Sequence, residues 1–231
     1  MAQELQVILS NGLWLGITIL CYLCYKLRER WRPEATYWQL WLAASLLFLG
    51  KEITRWFQGD WAAIAFHTLG MLSASFMAIG FYSLYSSFIT DRKRFHPLYA
   101  FPILFLVGIP VFMATGFKTG GIGYIYRIAE NVVWIVASLG IIFYVLMLAV
   151  KLRGGLVWAM FPAAFAAYLA GMWNILEFAE IIGGAIPYGI TNTIEILFGL
   201  SIASTFVSFY LTLHEMAPPA YKVLEKPPTK P

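Results

Sequence analysis

Long apolar runs, separated by short clusters of charged residues, recur along nearly all of this chain of 231 residues. A helix needs about 20 predominantly apolar residues to cross the hydrocarbon core of a bilayer. We predict seven such helices, at 6–26, 37–57, 61–89, 98–116, 127–150, 155–182 and 190–213. Charged residues make up only 12% of the chain, whereas soluble domains have about a quarter. The sequence therefore predicts an all-α integral membrane protein with seven transmembrane helices.

The predicted helices leave little of the chain outside the membrane. We expect one seven-helix domain over 1–215 and a short cytoplasmic tail over 216–231. The tail is rich in Pro and Lys and has no hydrophobic periodicity, so we expect it to be disordered. We expect no separate catalytic domain outside the membrane.

Basic residues accumulate on one side of the predicted helices. Alternating sides along the chain places twelve Lys and Arg residues on the side of the C-terminus and four on the other side, namely Lys51, Arg55, Lys118 and Arg127. Because cytoplasmic loops carry the excess of basic residues, the N-terminus is predicted outside and the C-terminus in the cytoplasm. The formal net charge of +4 is then explained by the membrane topology and by contact of basic residues with the lipid bilayer. It does not indicate a nucleic-acid partner.

The first and last three predicted helices resemble each other. Shifting the chain by 125 residues aligns 1–90 with 126–215, with about fourteen identities, roughly twice what an apolar alphabet gives by chance. Glu52 falls on Glu177, and His67 falls on Asn192. The helix at 98–116 restores the direction of the chain, so the pattern predicts a 3+1+3 parallel internal repeat. Parallel repeats are one of the known plans of transporters.

Polar and ionisable residues are concentrated toward the outer ends of the predicted helices. Ionisable side chains within transmembrane segments are costly, and they mark functional sites by default. We predict that they converge on one outward-facing pocket that binds a ligand or ion, formed by Glu177, Glu195, Glu52, Glu130, His67, Asn174 and Asn192.

Simpler interpretations exist for part of this set. Arg55 lies three residues from Glu52, and Arg127 lies three residues from Glu130, so each pair can neutralise itself locally. His67 is either a metal ligand or a hydrogen-bonded core residue. Glu177 and Glu195 have no cation close in sequence, which makes them the strongest candidates.

Three functions fit these features. The first is a small transporter or channel-like carrier for a cation, a proton or a cationic solute. The second is a non-catalytic membrane subunit or ligand sensor that signals to a partner. The third is a metal-dependent intramembrane enzyme, which is the weakest because the polar layer contains one histidine. The sequence leaves the cofactor unknown and metal binding open, and it allows a homo-oligomer or a larger membrane complex.

Overall fold

The computed structural model describes residues 2–28, 36–89, 122–151, 156–181, 183 and 188–215. All of the regular structure in these ranges is helical. The six helices are α1 (Ala2–Leu27), α2 (Tyr37–Thr54), α3 (Asp60–Ile89), α4 (Ile122–Lys151), α5 (Leu156–Ile181) and α6 (Tyr188–Glu215). Each corresponds to one of the predicted transmembrane segments. The remaining predicted helix, at 98–116, lies outside the described residues, as does the predicted tail at 216–231.

Five of the six described helices are long and apolar enough to span a membrane, and the chain is therefore a helical membrane protein with several spans. The exception is α2, which has 18 residues and carries Lys51 and Glu52 in its last turn. Large apolar side chains face outward along the other helices, among them Leu139, Val150 and Trp158. Such exposed apolar side chains are suited to contact with lipid, because lipid tails rather than water cover that face of a membrane protein.

The described helices form a closed ring. Each helix packs against its neighbours in chain order, and α1 also packs against α6. In this order α3 and α6 lie on opposite sides of the ring. Hydrogen bonds from Gln6 to Asn192 and from Ser10 to Glu52 place the beginnings of α1 and α6 at the same end of the ring as the end of α2. The short turn at 55–59 places the beginning of α3 there as well. The contacts of Glu130 with His67 and of Arg127 with Glu180 place the beginning of α4 and the end of α5 there too.

Aromatic side chains fill the middle of the ring. Trp14 of α1 stacks on Phe48 of α2 with ring centroids 3.8 Å apart. Phe198 of α6 lies 5.7 Å from Trp14 and 5.6 Å from Trp134 of α4. We call these four residues the aromatic floor, because Phe48, Trp134 and Phe198 each lie about one helical turn from a charged residue of the site described below. Aromatic pairs at these separations pack favourably, so the floor joins four helices in a tightly packed layer.

Candidate functional site

A cavity of about 700 Å³ opens at the end of the ring where α2 ends. Side chains from all six helices line it, together with Phe57 and Gly59 of the turn between α2 and α3. The turn is sharp at Gly59, whose φ of 104° is readily adopted only by glycine. Trp173 of α5 lines the cavity and also lies 6.4 Å from Phe198, which connects the cavity wall to the aromatic floor.

A buried ion pair joins three helices beside the cavity. Lys51 of α2 donates a hydrogen bond to Oε1 of Glu130 on α4, and the Nδ1 atom of His67 on α3 lies 2.7 Å from the other carboxylate oxygen. Lys51 and Glu130 are 2% and 3% exposed, so neither charge is solvated by bulk water. Gly70 of α3 makes this arrangement possible, because a Cβ atom there would overlap the Glu130 carboxylate.

Arg55 connects two further carboxylates at the end of α2. Its Nη2 atom donates a hydrogen bond of 2.7 Å to Oε1 of Glu195 on α6, and its Nε atom lies 3.2 Å from Oε2 of Glu52. The same oxygen of Glu52 accepts a hydrogen bond of 2.8 Å from Ser10 of α1. Glu52 is fully buried and does not line the cavity, so it holds Arg55 in place from behind the wall.

The mouth of the cavity is formed by a looser group of charges. Arg127 of α4 donates a hydrogen bond of 2.8 Å to Glu180, whose side chain is 52% exposed. The Nε atom of Arg127 lies 3.8 Å from Oε2 of Glu177, beyond hydrogen-bond distance. Glu177 therefore has a longer ion-pair contact than Glu52, Glu130, Glu180 and Glu195.

Two asparagines complete the polar wall. Asn192 of α6 accepts a hydrogen bond of 2.7 Å from Nε2 of Gln6, which links α6 to α1. Asn174 of α5 donates a hydrogen bond of 2.7 Å to the carbonyl oxygen of Ala170 within its own helix. Because that bond uses only the amide nitrogen, the side-chain oxygen of Asn174 keeps its capacity to accept a further hydrogen bond.

The structure brings together the residues that the sequence selected. Six of the seven predicted site residues line one cavity, and Glu52 lies directly behind it. The proposed local pairing of Arg127 with Glu130 is wrong, because Arg127 bonds to Glu180 and Glu130 bonds to Lys51. Glu195 has no cation close in sequence, but helix packing places Arg55 beside it.

Lys51 is a residue of the candidate site that the sequence analysis did not select. Lys51 was placed only among the four basic residues of the outer side, and the structure shows it buried within α2. Lys51 lies at the same end of the ring as the polar residues that the sequence analysis selected. A usable signal was its place one residue before Glu52 inside the apolar run 37–57, where a charge needs a partner.

Among the residues that the structure describes, carboxylates outnumber permanent cations in the ion-pair network around the cavity. The five glutamates (Glu52, Glu130, Glu177, Glu180 and Glu195) face three permanent cations, Lys51, Arg55 and Arg127. A protonated His67 would reduce the excess from two negative charges to one. Negative charge enclosed by an apolar helix ring attracts cations more strongly than the same charge in water.

Within the ranges that the structure describes, no three His, Cys, Asp or Glu side chains form a group that could hold a metal ion. The acidic residues are instead distributed among Lys51, Arg55 and Arg127. Comparison of the chain with protein-family models, with curated proteins and with solved structures finds no match.

Proposed function

We propose that this membrane protein is a small carrier that binds a cationic ligand in the acidic cavity. The observation that carries the proposal is the excess of carboxylates over cations around an enclosed space of about 700 Å³. An uncompensated charge in such a place costs several kcal/mol, so a bound cation or proton would stabilise it. The side chains assigned to the ligand are Glu177, Glu195, Glu130, His67, Asn174 and Asn192, with Glu52 acting through Arg55.

The predicted internal repeat supports the assignment as a carrier. A rotation that exchanges α1–α3 with α4–α6 preserves the order of the ring, since α3 then meets α4 as α6 meets α1. Polar contacts cross both of these seams: His67 contacts Glu130, and its aligned counterpart Asn192 contacts Gln6. Two such halves around a central site are suited to alternating access.

A ligand sensor or non-catalytic subunit is the second candidate, and the aromatic floor favours it. Trp14, Phe48, Trp134 and Phe198 are almost completely buried directly beneath the cavity. A solute can pass this layer only if the helices rearrange. Uptake of radiolabelled tetramethylammonium into proteoliposomes separates the two functions, because a carrier accumulates or exchanges the label whereas a sensor binds it without uptake.

The binding proposal predicts that cations stabilise the wild-type protein and fail to stabilise the Glu177→Gln/Glu195→Gln variant. Purified protein in lipid nanodiscs is heated in chloride salts of Na⁺, K⁺, Ca²⁺, tetramethylammonium and benzyltrimethylammonium. A ligand at 100 times its Kd adds about 2.7 kcal/mol to the stability of the folded state. At least one salt should therefore raise the unfolding temperature at constant ionic strength. The amides keep the shape of the carboxylates and remove both negative charges.

The control for this experiment is Glu215→Gln, which removes one carboxylate from an exposed position at the other end of α6. This variant should respond to cations as the wild type does. The proposal is wrong if no cation stabilises the wild type, or if the double variant responds equally.

The excess of basic residues on the membrane side of the C-terminus further predicts that the cavity opens to the outside of the cell. A membrane-impermeant maleimide added to intact cells should modify a cysteine placed at Gln58, an exposed position beside the cavity mouth. It should not modify one placed at Glu215 until the membrane is permeabilised. The natural Cys21 and Cys24 are buried and give little background. The opposite labelling pattern would reverse the orientation.

A further inference from the structure

The cavity has two chemically different walls. One wall is apolar and is formed by Phe57 of the turn and by Ala62, Ala63 and Phe66 of α3. The opposite wall is polar and acidic and belongs to α5 and α6, with Asn174, Glu177, Thr191, Asn192 and Glu195. Because α3 and α6 lie across the ring from each other, a ligand in the cavity meets both walls at once.

The volume of the cavity indicates a molecule larger than an ion. Pockets for small organic ligands span about 300–1,000 Å³, whereas one water molecule occupies about 30 Å³ of the liquid. At about 700 Å³ the cavity falls within the organic-ligand range. A bound Ca²⁺ requires roughly six to eight oxygen ligands at 2.3–2.6 Å. In the described part of the chain, Glu130 and Glu195 are instead held by Lys51 and Arg55.

Glu177 is the carboxylate that remains available to a ligand. Its contact with Arg127 is 3.8 Å long, and its side chain is 25% exposed in the cavity. Glu130 and Glu195 each have an ion pair at hydrogen-bond distance, and their side chains are only 4% and 8% exposed. An ammonium group that enters the cavity can therefore pair with Glu177 without displacing a tightly bound partner.

The apolar wall gives the second half of the recognition. Phe66 already contacts the charged groups of Lys51 and Arg55, which lie 4.4 and 5.3 Å from its ring centroid. The ring is thus occupied by cations of the protein, and what α3 offers a ligand is the apolar surface around Ala63. Burying an aromatic group of the ligand there would add the free energy of removing that surface from water.

We propose that the cavity binds an amphipathic organic cation, with its ammonium group at Glu177 and its apolar body against the surface around Ala63. This inference rests on the proposed cation binding and specifies its chemical class. It predicts selectivity by the body of the ligand as well as by its charge. An inorganic cation or a small ammonium ion would satisfy Glu177 and leave the apolar wall uncovered.

The test compares two probes that share a charged group and differ in their apolar body. Binding of tetramethylammonium and benzyltrimethylammonium to the protein in nanodiscs is measured by isothermal titration calorimetry, with empty nanodiscs subtracted to remove partitioning into lipid. Benzyltrimethylammonium should bind about 10- to 100-fold more tightly, as expected for burial of one aromatic ring. Ala63→Trp fills the apolar side of the cavity and should reduce this preference at least tenfold, while tetramethylammonium still binds.

The control is Leu139→Trp, which adds the same side chain at a position on the outer face of α4 that is 65% exposed. It should keep the wild-type preference. The comparison of the two probes on the wild type needs no variant, so it remains decisive even if Ala63→Trp does not fold. Equal affinities for the two probes, or binding of inorganic cations alone, would overturn this inference and leave cation binding intact. Absence of any cation binding would remove both proposals.

Discussion

Replacing Glu130 with Gln is expected to lower the free energy of unfolding by about 3–5 kcal/mol, because it leaves Lys51 as a buried cation without its countercharge. Lys51 is 2% exposed and Glu130 is 3% exposed, so water cannot replace the lost carboxylate. The contact of Glu130 with His67 is weakened in the same variant. The loss is measured by unfolding the purified protein in mixed micelles and following the fluorescence of its tryptophans.

Two further variants make this result specific. Glu180→Gln also removes one partner of an ion pair, but its side chain is 52% exposed, so it should cost less than about 1 kcal/mol. Lys51→Met combined with Glu130→Leu replaces both charges by apolar groups and should recover most of the stability lost in Glu130→Gln. Equal losses of stability for Glu130→Gln and Glu180→Gln would show that the buried ion pair between α2 and α4 contributes no more than an exposed one.

Replacing Gly70 with Ala is expected to destabilise the protein through the same ion pair. The added methyl group would overlap the Glu130 carboxylate and approach Cδ of Lys51 to 3.2 Å. Either α3 moves away from α4, or Glu130 loses its alignment with Lys51. Overpacking of this kind costs about 1–3 kcal/mol, which exceeds the gain of at most about 1 kcal/mol from replacing a helical glycine with alanine. The same unfolding assay measures the loss.

Gly140→Ala serves as the matched control, since it makes the same chemical change in the middle of α4. A Cβ atom at Gly140 meets only Cε2 of Tyr144 at 3.8 Å, which is an ordinary contact. This variant should be as stable as the wild type or more stable. If Gly70→Ala has the same free energy of unfolding as Gly140→Ala, then α3 does not approach the ion pair closely enough for a methyl group to disturb it.

The helices of this protein were predictable because their cause is local. An apolar run such as 190–213 can satisfy its backbone in lipid only as a helix, and the structure places α6 at Tyr188–Glu215. The depth of the polar residues was equally readable, since a position along a straight helix fixes its distance from the membrane surface. Glu177 and Glu195 were therefore expected at the same end as Glu130, and the structure places all three around one cavity.

The pairing of charges could not be read from the sequence because it depends on how the helices pack. Spacing along one helix favoured Arg127 with Glu130, but Glu130 points toward α3 and Arg127 reaches Glu180 on α5. Only the rotation of each helix about its axis decides between these partners, and residue spacing does not determine it. Lys51 was misjudged for the same reason, since its burial depends on Glu130, which lies 79 residues further along the chain.

The position of α2 in the ring also constrains how the protein is made. It is the one described helix that falls short of the apolarity expected for an independent membrane span, and it emerges from the ribosome before α4 and α6. Arg55 has Glu52 beside it on the same helix, but Lys51 finds its partner Glu130 only on α4. During synthesis Lys51 therefore lacks its countercharge until a further 79 residues have been made. The stable integration of α2 is then a late event of biogenesis that depends on helices inserted after it, and the cavity comes into existence only when α6 closes against α1.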